Sequence, residues 1–77
     1  MKDTLFFIVS NMVSYPKKLV VNEEETDGII NFNITVAKED IGRVIGKEGK
    51  IIKAIRNVMK IPALKENKRI NITLTEN

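Results

Sequence analysis

The sequence predicts an α+β fold in the order α-β-β-α-α-β, a three-stranded mixed sheet with three helices packed on one face. Three observations carry that expectation. Residues 29–36 and 70–75 alternate apolar and polar side chains, the period of a strand with one dry face and one wet face. Residues 3–14 and 50–60 place apolar residues at helical spacing. Two helical segments separate the alternating strands, and such a crossover normally sets its strands parallel with a right-handed connection.

Each element has its own signal. In residues 3–14, Leu5, Ile8, Val9, Met12 and Val13 form one apolar stripe, with Asp3 as N-cap and Pro16 as the stop. Residues 18–23 read as a short strand, because Leu19, Val20 and Val21 favour extended backbone. Glu23 to Gly28 reads as an acidic loop ending in Asp27-Gly28, a hairpin-turn dipeptide. In residues 29–36, Ile30, Phe32, Ile34 and Val36 face one way while Asn31, Asn33 and Thr35 face the other. Lys38-Glu39-Asp40 opens a short helix carrying Ile41, Val44 and Ile45, which Gly46-Lys47-Glu48-Gly49 interrupts. A further helix runs from about Lys50 to Lys60, followed by a looser stretch holding Pro62 and Asn67. The closing strand alternates Ile70, Ile72 and Leu74 with Asn71, Thr73 and Thr75.

Composition removes several classes of function. The 77 residues make one expected domain, 1–77, with 43% hydrophobic and 30% charged side chains. A domain of this size buries only about 60% of its unfolded surface, so its stability margin is narrow. There is no Cys and no His, which removes disulfides, thiolate or imidazole metal sites, and Ser-His or Cys-His nucleophiles. Carboxylates are scattered without the spacing of an acid–base pair, so no catalysis, cofactor or metal is expected. Leu5-Phe6-Phe7-Ile8-Val9 is too short for a signal peptide, whose apolar region needs ~7–15 residues, or for a membrane span of ~20. The expectation is a cytoplasmic chain with no membrane insertion.

Charge divides the chain. Residues 1–37 carry three basic and five acidic side chains, whereas residues 38–77 carry ten basic and five acidic ones. Arg43, Lys47, Lys50, Lys53, Arg56 and Lys60 stand against Glu48 alone between positions 43 and 60. A basic half on a small domain points to a polyanionic partner. On the helix starting at Lys50, Ile51, Ile52, Ala54, Ile55, Val58 and Met59 span an apolar arc of about 160°, read as the core side. Lys50, Lys53, Arg56, Asn57 and Lys60 cover the opposite, cationic side.

The segment Ile41–Arg56, IGRVIGKEGKIIKAIR, concentrates the chemistry. Gly46 and Gly49 let the backbone bend sharply and a polymer approach closely. The following helix start offers free N–H groups and a favourable dipole for an anion, with Lys47 and Lys50 beside it.

Val44-Ile45-Gly46-Lys47-Glu48-Gly49-Lys50-Ile51-Ile52 resembles the core of a KH domain, whose GxxG loop clamps single-stranded nucleic acid. The extra helix and strand before that core resemble the bacterial, type II arrangement, and the resemblance covers essentially the whole chain. It implies that Gly46, Lys47, Glu48 and Gly49 hold the sugar-phosphate backbone. Gly42, Arg43 and Ile45 would line one side of a groove, and Lys50, Lys53 and the edge of Ile52 the other. Such a groove takes about four unstacked nucleotides against aliphatic walls. That suits a chain whose Tyr15 and three Phe residues lie far from the loop. The resemblance further implies a bacterial post-transcriptional regulator or RNA chaperone. It also implies a homodimer, or a heterodimer with a larger KH-containing protein.

Rival motifs fit less well. A phosphate-binding P-loop requires four residues between its glycines and a Ser or Thr after Lys, and follows a strand. Gly42 and Gly46 are three residues apart in the gap, and a helix precedes the loop. A dinucleotide fingerprint fails for the same reasons. A helix-turn-helix duplex reader is disfavoured by the flanking strands. The remaining alternative is a protein-interaction adaptor that uses the same fold with little RNA binding. The acidic segment Glu23–Asp27 would repel RNA if it overhung the groove.

Overall fold

A computed structural model describes residues 1–76. Its elements are α1 (Lys2–Ser10), β1 (Val20–Thr26), β2 (Ile29–Val36), α2 (Ile41–Ile45), α3 (Lys50–Lys65) and β3 (Arg69–Glu76). Single 3₁₀ turns cover Pro16–Lys18, Lys38–Asp40 and Lys47–Gly49. The sheet order is β1-β2-β3, with β1 antiparallel and β3 parallel to β2. This is the expected α+β arrangement of three helices and a three-stranded mixed sheet.

The alternation in β2 sets the layers. Ile30, Phe32, Ile34 and Val36 are each buried to within 1% of full exclusion. They pack with Leu5 and Val9 of α1, Val44 of α2, Ile55 and Met59 of α3, and Ile72 of β3. The opposite face of the sheet is polar. There Asn71 Nδ2 donates to Asn31 Oδ1 at 3.2 Å and Thr75 Oγ1 donates to Asn33 Oδ1 at 3.0 Å.

Four features differ from the sequence reading. The first helix ends at Ser10 instead of running to residue 14, and its N-cap is Met1 instead of Asp3. Ser10 Oγ and Asn11 Nδ2 both donate to the Phe7 carbonyl, at 2.9 and 2.7 Å, and compete with the next helical turn. The first strand runs from Val20 to Thr26, so Glu23, Glu24 and Glu25 lie in a strand and not in a loop. The turn is only Asp27-Gly28, at φ 52° and 76°, the paired positive angles of a tight hairpin. It sets Thr26 opposite Ile29 and pulls the whole acidic segment into register.

α3 continues to Lys65 through Pro62, where the sequence suggested a looser stretch. The proline removes one backbone donor, but Ala63, buried at 1%, extends the row begun by Ile55 and Met59. Asn67 at φ 60° then turns the chain, and Lys68 N donates back to Ala63 O at 2.9 Å. The fourth difference concerns the apolar side of α3. Ile51 is 37% exposed and Val58 48%, so that arc is not all core.

Candidate nucleic-acid interface

The loop between α2 and α3 is built by backbone geometry. Gly46 takes φ 75° and ψ 174°, a conformation that L side chains avoid, and Gly49 takes the left-handed φ 75° and ψ 14°. Between them Glu48, at φ 57°, is itself left-handed. Gly46 N donates to Gly42 O at 2.9 Å, Gly49 N to Gly46 O at 3.2 Å, and Lys50 N to Lys47 O. The turn therefore uses amides that the sequence reading left free at the helix start. Lys47 and Glu48 stand between the two glycines. These two residues are exposed, and their glycine neighbours are half-buried. The loop is thus a tight turn whose two central residues face solvent.

Cations surround it. Lys47, Lys50 and Lys53 are exposed. Arg43, on α2, has a side chain 61% exposed and approaches Asp40 Oδ1 with its Nε at 3.8 Å. Beside the loop a groove of about 620 Å³ runs between α1 and α3. Ile8 and Met12 form one wall, and Ile51, Ala54, Ile55 and Val58 form the other. Arg43 and Lys50 are its charged lining residues.

This arrangement sorts the residues the sequence singled out. Gly46, Lys47, Glu48 and Gly49 form one turn, and Arg43 and Lys50 converge on one groove. Gly42, Ile45, Ile52 and Lys53 do not line that groove. Ile45 is 37% exposed on α2, and Ile52 is half-buried against the core. The sequence reading missed the groove-lining role of Ile8 and Met12, which it counted among the core stripe of the first helix. The available signal was the apolar arc of α3, at about 160° wider than the roughly 100° one contact stripe needs.

Glu48 lies within the turn itself, while Glu25 of β1 and Glu66 pair with Lys68. Lys68 Nζ donates to Glu25 Oε1 at 2.8 Å and lies 3.8 Å from Glu66 Oε1. The hydrogen bond to Glu25 raises the Lys68 ammonium above the ordinary lysine value. No helix among the described residues is long and apolar enough to cross a membrane.

The chain matches the family model described as KhpA/KhpB, KH domain, over residues 2–74. It belongs to the KhpA/KhpB family of KH domains. Relatives align over nearly the full length. The RNA-binding protein KhpA of Listeria monocytogenes EGD-e is 40% identical over 76 residues, 99% of this chain and 100% of that one. The RNA-binding protein KhpA of Chlamydia trachomatis serovar D is 40% identical over 76 residues, 99% and 97% of the two chains. That of Oceanobacillus iheyensis is 39% identical over 74 residues, 96% and 99%. No solved structure matches the chain. Within the KH frame, Gly46–Gly49 is the GxxG turn, and α2 and α3 are the helices that flank it.

Proposed function

We propose that residues 1–77 act as one non-catalytic, RNA-binding KH unit that seats single-stranded RNA through the Gly46–Gly49 turn. The observation that carries this reading is the exposed turn between two positive-φ glycines, with Lys47, Lys50 and Arg43 around it. A glycine turn flanked by cations on one exposed strip suits a phosphodiester, which presents one charge per nucleotide. The names of the relatives, all RNA-binding proteins, support the same ligand. Gly42, Ile45, Ile52 and Lys53 would contact sugars and bases next to the clamp, a groove of about four nucleotides. The chain works in the cytoplasm, as a post-transcriptional regulator or RNA chaperone.

Titration of a labelled single-stranded RNA by fluorescence anisotropy at several salt concentrations tests the reading. About three phosphate contacts give a log K against log[salt] slope near −2, at ~−0.7 per phosphate. A slope near zero removes the electrostatic seating.

The same chain also presents a surface for a second protein. Val58, which lines the groove, and Ile61 and Leu64 further along α3 are 48%, 58% and 71% exposed. A row of aliphatic side chains in water favours burial against another apolar face. This supports association with a second copy, or with another KH-containing chain. Sedimentation of the pure protein at micromolar concentration should reveal it.

A further inference from the structure

The most completely buried charge in the described chain lies just before α2. Asp40 is fully excluded from solvent. Its Oδ1 accepts from Ser14 N at 2.8 Å, and its Oδ2 accepts from Tyr15 N at 3.0 Å. Those are the last two amides before Pro16, in the connection out of α1. The carboxylate therefore ties the N-terminal segment to the entry of α2, with both oxygens in use. One helical turn onward, Arg43 approaches Oδ1 with Nε at 3.8 Å.

The atom that faces Asp40 matters. Nε is the inner nitrogen of the guanidinium, so the two terminal Nη groups point onward. Arg43 makes no other ion pair or hydrogen bond among the described residues. With its inner edge toward Asp40, a planar guanidinium has its terminal pair of donors left for two phosphate oxygens. Arg43 and Lys50 line the same groove, one on either side of the GxxG turn.

We propose that Asp40 is a positioning residue of the RNA interface: anchored by the Ser14 and Tyr15 amides, it holds Arg43 at Nε so that the free Nη pair takes a phosphate. The inference rests on the reading of Arg43 as part of that interface. It makes a chemical demand that charge alone does not. Lysine carries a single nitrogen, so it cannot face Asp40 with one nitrogen and offer a coplanar pair of others to two phosphate oxygens. It also gives the segment joining α1 to β1, far from the clamp in sequence, a part in presenting it.

The test is anisotropy with a short labelled single-stranded RNA over a range of salt, using Arg43→Ala, Arg43→Lys, Asp40→Asn and the Asp40→Asn/Arg43→Ala double variant. Arg43→Ala is expected to bind roughly fivefold more weakly, with a salt slope shallower by about 0.7. Arg43→Lys, which keeps the charge but not the planar pair of donors, should bind clearly more weakly than the wild type. Asp40→Asn should reproduce both changes in its folded fraction, and the double variant should be no weaker than Arg43→Ala alone. The proposal is overturned if Arg43→Lys binds like the wild type, or if Asp40→Asn weakens the Arg43→Ala protein as much as it weakens the parent. Because Arg43 is mostly exposed, the lysine variant decides the matter even if Asp40→Asn does not fold. Arg43→Ala at wild-type affinity also overturns it, and Lys47→Asp then shows whether the clamp itself still stands.

Discussion

A Cβ added at Gly46 would lie 2.5 Å from Cγ1 of Ile51 and 2.8 Å from its Cβ. The first glycine of the turn and the second residue of α3 are thus in a contact that no side chain fits. Gly49 is different, since a Cβ there would meet only Ile52 Cγ2, at 4.0 Å. The two glycines of one motif are required for different reasons, close approach plus backbone angle at Gly46 and backbone angle alone at Gly49.

Alanine substitutions separate these reasons. Gly49→Ala carries only the strain of φ 75°, a destabilisation of about 1 kcal/mol. Gly46→Ala adds a clash with the branched body of Ile51 and should cost about 3 kcal/mol. At ~4–8 °C per kcal/mol for a domain of this size, Gly46→Ala should melt clearly lower of the two. Equal melting temperatures by circular dichroism would show that the contact with Ile51 relaxes freely.

Lys47→Asp places a carboxylate in the middle of the Gly46–Gly49 turn. Its side chain is exposed, so the fold should survive with an unchanged far-ultraviolet spectrum. RNA binding should fall below detection in a gel shift, because a like charge now faces the phosphate. Unchanged affinity would favour the protein-adaptor reading of the fold.

Val58→Lys tests the apolar row of α3. The residue is half exposed, so the monomer should tolerate the charge. Sedimentation velocity should show the self-association of the parent lost in the variant. A variant that sediments as the parent does would place any association on another face.

The Lys68–Glu25 pair has a defined pH behaviour. The folded-state ammonium titrates above the unfolded one, chiefly through its hydrogen bond to Glu25. Its contribution is therefore complete at neutral pH and disappears as pH rises through the folded value, in strongly alkaline buffer. The difference in urea midpoint between wild type and Lys68→Met should stay constant from neutral to mildly alkaline pH and shrink in strongly alkaline buffer. A difference that persists unchanged there would show that the ammonium is not the group responsible.

Much of this protein was legible along the chain. The period-two alternation of β2 and β3 identified the strands and their dry face, because each side chain's direction in a strand follows from its position alone. Asp27-Gly28 marked the hairpin, since few dipeptides accept two positive φ angles. The spacing of Gly46 and Gly49 between two helical stretches marked the turn that the fold presents to solvent.

Other features depended on what each segment meets in space. Ser10 and Asn11 end α1 early through their contacts with the Phe7 carbonyl, and nothing in the apolar spacing of residues 3–14 signals that competition. Pro62 stays inside α3 because Ala63 is buried beneath it. The wide apolar arc of that helix divides between core and groove, since α1 leaves Ile51 and Val58 partly uncovered. Asp40 reads in sequence as an ordinary helix-opening acid. Its burial and its hold on Ser14, Tyr15 and Arg43 arise only when residues some 25 positions apart come together. Local periodicity determined the elements; long-range packing decided which of their atoms remain free to bind.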